Sequence, residues 1–133
     1  MNVTEIGLYG KLAAATALTT LLSAATAIYP TQAPQGTAMA YVVYVYAGGG
    51  LENQNPSELH NTVYLVKGVA ASIAAAGAIQ AQIKAALHGA TLTVTGYTNF
   101  YMACEGEVQL DEVLRDGSLV SQRGWYVRIR LDN

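Results

Sequence analysis

The chain has 133 residues, 52% of them hydrophobic and 12% charged, with a formal net charge of −2. That length suits one domain with a single core and excludes a multidomain enzyme, and the apolar fraction excludes intrinsic disorder. Seven basic residues spread from Lys11 to Arg130 exclude the clustered cationic face that nucleic-acid binding needs, because affinity there comes from neutralising phosphates. The charged fraction is half of the roughly 25% usual in soluble domains. With a mean hydropathy of +0.25, it leaves an exterior that other subunits or a membrane must partly cover. The single cysteine, Cys104, makes no internal disulfide, which fits a reducing cytoplasm better than a stapled secreted scaffold.

In chain order, Leu8, Leu12, Ala15, Leu18, Leu22 and Ala25 recur at near-helical spacing and predict an amphipathic helix from Thr4 to Thr26. Thr4 is its candidate N-cap and Pro30 its stop. The uncharged run Leu12–Tyr29 also has the length of a signal or anchor, with Ser23–Ala27 as cleavage region, but it is mostly Ala and Thr and lacks a basic leader. Residues 31–38, with Pro34 and Gly36, read as a loop. Tyr41-Val42-Val43-Tyr44-Val45-Tyr46 reads as a strand covered on both faces. Ala47 to Ser57, with Gly48-Gly49-Gly50, Asn53, Asn55 and Pro56, is expected to be a long mobile loop. A second strand follows over Asn61–Val69.

Ile73, Ala76, Ile79, Ile83 and Leu87 mark a second helix within Ala71–Leu87, ended by His88-Gly89. Thr91–Thr95 alternates strictly and predicts a third strand with one wet face. The remainder reads as β: near Phe100–Cys104, near Glu107–Leu114, an Asp116-Gly117 turn, and a last strand ending at Leu131. In that last strand Trp125, Val127, Ile129 and Leu131 share one face, Tyr126, Arg128 and Arg130 the other. The order α-β-β-α-β-β-β predicts an α+β fold over residues 1–133: an antiparallel sheet with two helices packed on one face.

Chemistry-bearing residues are few. His60, His88 and Cys104 lack partners at zinc-ligand spacing, so no metal site is expected. His60 reads as a loop-end residue, and His88 as a helix C-terminal residue facing the dipole. Glu105, Glu107 and Asp111 could share a strand face as acid/base groups, but pairing with Arg128 and Arg130 across strands explains them without catalysis. A bulge is expected near Asp111-Glu112. The triple glycine has no following Lys-Ser or Lys-Thr and reads as a contact loop rather than a phosphate cradle. Cys104 has no neighbouring base and reads as structural. Nine tyrosines exceed what a core alone explains and suit interfaces, where a ring meets protein and its hydroxyl meets water.

The N-terminal helix, Ile28-Tyr29-Pro30, Ala33-Pro34-Gln35-Gly36 and the strand Tyr41-Val42-Val43-Tyr44, followed by strand, helix and a β-rich half, resemble the tail-terminator or tail-completion proteins of long-tailed, siphovirus-like bacteriophages. Ala40 stands where such proteins often carry proline. The resemblance implies a non-enzymatic virion subunit without cofactor, assembled in the host cytoplasm. It implies a homo-oligomeric ring, hexameric, at the head-proximal end of the tail tube, stopping tube polymerisation and offering the head-joining surface. Implied partners are the tail tube protein and a head-tail connector or stopper; genome DNA passes the lumen without sequence-specific binding, and no membrane is involved. Partner-interface residues are expected at Tyr41, Tyr44, Tyr46, Gly48, Gly49, Gly50, Leu51, Glu52, Asn53 and Asn55. The rivals are another neck or head-completion connector protein, a secreted or membrane-anchored binding module whose first 27 or so residues are a signal, and a small acid/base enzyme built on Glu105, Glu107 or Asp111.

Overall fold

A computed structural model describes the backbone of residues 2–53 and 58–132, and the side chains of 3–52 and 59–132. Helix α1 (Asn2–Ala14) is followed by the single turn α2 (Thr16–Thr19), the short strand β1 (Ile28–Pro30), β2 (Tyr41–Asn53), β3 (Glu58–Ala70), helix α3 (Ile73–Leu87), β4 (Thr93–Val94), β5 (Tyr97–Val113) and β6 (Leu119–Asp132). The strands form one curled sheet in the order β1-β2-β3-β6-β5-β4, with β1 parallel to β2 and every other pair antiparallel.

The long N-terminal helix expected from spacing breaks at Ala15, whose backbone is extended at φ −80, ψ 90. Hydroxyl side chains then compete for the backbone: Thr19 Oγ1 donates to the Thr16 carbonyl and Thr20 Oγ1 to that of Ala17, both at 3.2 Å, while Ser23 donates to the Ala38 carbonyl. Such local bonds disfavour helix continuation. Thr4 sits inside the first turn instead of capping it, and Pro30 ends strand β1 rather than a helix. The apolar stripe itself is real, since Leu8, Leu12 and Leu18 are fully buried. Cleavage after Ala27 would strip all three from the core. Among the described residues no helix is long and apolar enough to cross a membrane.

Strand alternation builds that core. Val42 and Tyr44 of β2, Tyr64 and Val66 of β3, and Val127, Ile129 and Leu131 of β6 lie on one sheet face and join Leu8, Leu12, Leu18, Ala76, Ile79, Ile83 and Leu87 in one buried cluster. Helix α3 starts two residues later than expected because Ser72 caps it, Oγ accepting from the Ala75 N–H at 3.1 Å. Gln80 ties α3 to the sheet: its amide donates to the Gly124 carbonyl at 3.1 Å and its backbone carbonyl accepts from Trp125 Nε1 at 3.0 Å.

Three other expectations change. The glycine-rich segment is not a loop as far as Asn53. It continues β2 and pairs with β3, Gly50 opposite Asn61 and Leu51 opposite His60, after a bulge between Tyr46 and Gly48. Glycine is needed there, because a Cβ on Gly49, at φ +111, would stand 2.1 Å from the Asn61 carbonyl oxygen. Residues 54–57 of the expected loop, Asn55 included, lie outside the described residues. The third strand shrinks to Thr93–Val94, since the Leu92 N–H is taken by Asn99 Oδ1 at 2.8 Å. The two strands expected between Phe100 and Leu114 are one, β5. Its irregularities fall between Asn99 and Tyr101 and between Cys104 and Gly106, not at Asp111-Glu112.

Candidate interaction surface

Among the described residues no helix covers the other face of the sheet. Register places Gly48, Gly50 and Glu52 of β2, Asn61, Val63, Leu65 and Lys67 of β3, and Tyr126, Arg128 and Arg130 of β6 on it. Its polar half is a ladder running across four strands. Asn61 Nδ2 donates to Glu52 Oε1 at 2.6 Å, Arg130 Nη2 to Glu52 Oε2 at 3.0 Å, and Arg128 Nη1 to Asn61 Oδ1 at 2.7 Å. Arg128 Nε also reaches both oxygens of Glu105 at 2.9 Å. The Arg130 guanidinium lies 5.3 Å from the centre of the Phe100 ring. Exposed pairs contribute at most about 1 kcal/mol each, but their mutual bonds fix the charges in a pattern. The Asn61 hydrogen bond, and then Arg130, hold the Glu52 carboxyl below the usual carboxylate range. Its stabilising effect is therefore present above the ordinary carboxylate pKa and is lost only as pH falls through the lowered value.

Cross-strand pairing thus accounts for Glu105, as its spacing against Arg128 suggested, while Arg130 turns to Glu52 and Asp111 pairs with Arg123 at 2.9 Å. The bulge at Glu105 is the reason. It shifts Glu107 and Asp111 into register with Trp125 and Ser121, on the face opposite Arg128, so the three carboxylates do not converge and no acid/base pair forms. Among the described residues no group of three His, Cys, Asp or Glu could hold a metal ion. His60 lies within β3, its ring edge-on to Tyr97 at 5.0 Å, and His88 Nδ1 accepts from the Cys104 N–H at 3.1 Å.

The rest of the open face is a groove of about 370 Å³ between residues 31–37 and Tyr41, Val43, Lys67, Val69 and Gln122. Lys67 Nζ donates to Gln122 Oε1 there at 2.6 Å. Tyr41 stands at this groove, edge-to-face with Tyr29 at 6.1 Å. Tyr44 instead points into the core at 6% exposure, where burial, with Glu5 and Tyr9 nearby, raises its hydroxyl pKa. Tyr46 (45% exposed) and Leu51 (54%) are surface residues at the outer margin of β2. The interface residues expected from sequence therefore divide: Tyr44 packs the core, Tyr41 and Glu52 belong to the open face, and Tyr46, Gly49 and Leu51 to the sheet edge. Of Asn53 only the backbone is described, as the end of β2. Asn61, Glu105, Arg128 and Phe100 were absent from that expectation; the alternation of Arg128 and Arg130 against Val127 and Ile129 is the sequence signal that marks such a face. A second exposed apolar set, Leu110, Val113 and Leu114, lies where the β5–β6 hairpin turns.

Cys104 has the structural character its sequence context suggested. Burial pushes its thiol from 9.0 to about 11, leaving at pH 8 roughly a hundredth of the thiolate of an ordinary cysteine. Alkylation of the native chain at that pH is expected to be slower than in denaturant by about that factor, with equal rates overturning the assignment; a mass shift on iodoacetamide treatment reads it.

The family model for "Tail completion protein gp17" matches residues 7–132. No curated protein matches the chain. Among solved structures, a chain described as "Virion of native gene transfer agent (GTA) particle" superposes with a TM-score of 0.74 at 18% sequence identity, covering 97% of this chain and 94% of that one. At that identity the likeness is one of fold.

Proposed function

We propose that this chain, which belongs to the Tail completion protein gp17 family, is a structural subunit completing the tail of a phage-like particle. Its copies close into a ring, hexameric as the resemblance to tail-terminator proteins implies, at the head-proximal end of the tail tube. There the ring stops tube growth and offers the surface on which the head-side connector docks. The observation that carries this reading is the family match over residues 7–132. Supporting it are a charged fraction of only 12% and a sheet face without a helical cover among the described residues. A ring uses one surface against a different one on the next copy, so both must be free on the isolated subunit.

Light scattering across a concentration series, followed by negative-stain microscopy, tests the proposal. Closed rings of the chain alone, or rings formed on adding the tail tube protein, are the expected result. A chain that stays at 14.0 kDa under both conditions overturns it.

A further inference from the structure

The sheet has two long unpaired edges. β1 covers β2 only over Val42–Tyr44, so Val45–Asn53 has no outer neighbour among the described residues. β4 covers β5 only at Tyr97–Thr98. Beyond that, Gly89 N–H donates to the Met102 carbonyl and His88 accepts from Cys104, and Glu105–Val113 has no outer partner among the described residues. Natural proteins shield such edges with lysine and other charges, proline, bulges or very short strands; neither stretch contains a lysine or a proline, each is long, and each carries its bulge only near its start.

Main-chain groups of alternate strand residues point to opposite neighbours. On β2 the outward residues are Val42 and Tyr44, which bond Ala27 and Thr31. Alternation then gives Tyr46 and, once the bulge resets the phase, Gly49, Leu51 and Asn53. The Tyr46 hydroxyl confirms the phase by donating to the Gly49 carbonyl at 2.8 Å. On β5 Met102 and Cys104 face outward, and the second bulge makes Glu107, Gln109, Asp111 and Val113 outward in turn.

We infer that these edges bind each other: Glu105–Val113 of one copy adds as an antiparallel strand to Val45–Asn53 of a second copy of this chain. Three observations select that occupant. The stretches are equal in length and lie on opposite sides of one sheet, so the same contact repeats from copy to copy. β2 and β5 run in opposite directions, so copies set side by side in the same orientation meet antiparallel. Glu105, Glu107, Asp111 and Glu112 would repel one another if β5 met β5, whereas the β2 stretch offers three glycines and one carboxylate, Glu52, already bonded to Arg130. The open stretches also sit at opposite ends of the sheet, Gln109 level with Val42 and Leu51 level with Asn99. Pairing them staggers each copy along the strand direction, as a closed barrel of tilted strands requires. This rests on the ring reading above and says how the ring closes.

Proline removes an outward N–H while leaving the inner ladder intact. Gln109→Pro and Leu51→Pro are each expected to abolish rings with circular dichroism unchanged, while Gln109→Thr keeps them. Mixed in equal amounts, the two proline variants retain one sound edge each and are expected to stop at a dimer, twice the 14.0 kDa chain mass, by light scattering. Folded proline variants that still form the wild-type ring, or a mixture that stays monomeric, overturn the pairing while the ring reading stands. Wild-type chain that forms no ring, alone or with tube protein, overturns both. Amide exchange on wild type provides a reading free of mutation: peptides spanning 45–53 and 105–113 gain protection in the ring over the diluted monomer, and no gain overturns the pairing.

Discussion

Gly124→Ala is expected to destabilise the chain by about 3 kcal/mol, near the upper end for overpacking, lowering the melting temperature by about 10 °C. Gly124 lies on β6 between Lys67 of β3 and Val108 of β5. A Cβ there would stand 2.0 Å from the Val66 carbonyl oxygen and 2.5 Å from the Lys67 Cα. Both are main-chain atoms of a central strand, so no rotamer change relieves the clash; β3 and β6 must part. Separation would also pull the Gly124 carbonyl from the Gln80 amide, the bond that seats α3 on the sheet. Leaving a buried acceptor unpaired costs a further ~1 to 3 kcal/mol, so the expectation is a lower bound. A thermal melt reads it, and a variant melting within about 2 °C of wild type would show that the strands separate freely here.

That glycine shows where the sequence could be read and where it could not. Periodicity located the buried side chains well: Leu8, Leu12, Ile79, Ile83, Val127, Ile129 and Leu131 were all on the predicted apolar faces and are all fully buried. Side-chain spacing reports which way a residue points, and burial follows from that. Close approach of two backbones leaves no such pattern. Gly48-Gly49-Gly50 has the composition of a flexible loop, yet Gly49 lies so near Asn61 that only glycine fits; the pairing that makes it a strand is supplied by β3, not by its own residues. The ladder of Glu52, Asn61, Arg128 and Glu105 was half visible for the same reason. Arg128 and Arg130 share a face by alternation, but the partner of each depends on a bulge at Glu105, and one inserted residue turns Glu107 and Asp111 to the other side. The break at Ala15 was hidden by an apolar stripe that continues across it to Leu18, while the hydroxyls of Thr19 and Thr20 act on the backbone rather than on the stripe.

A double-mutant cycle at Gly68 and Ile79 is expected to show strong coupling. Gly68, on the helix-facing side of β3, makes room for α3: a Cβ there would lie 2.2 Å from Ile79 Cγ2 and 2.8 Å from Ile79 Cβ. Ile79 is fully buried and is held from both sides, because the next residue, Gln80, is bonded to Gly124 and Trp125. The isoleucine cannot slide along the sheet to escape an added methyl. Gly68→Ala alone should therefore cost about 1 to 3 kcal/mol by overpacking. Ile79→Ala alone should cost about 2 to 5 kcal/mol, from lost burial and the cavity left behind. Together, the methyl at position 68 enters the space vacated by Ile79 Cγ2 and leaves only its approach to the Cβ that alanine retains, and the double variant should be more stable than the sum of the single losses by about 1 kcal/mol. Urea denaturation of the four chains reads the cycle. Simple additivity would mean that α3 rests on the sheet without engaging Gly68, and that the Gln80 bonds alone set its position.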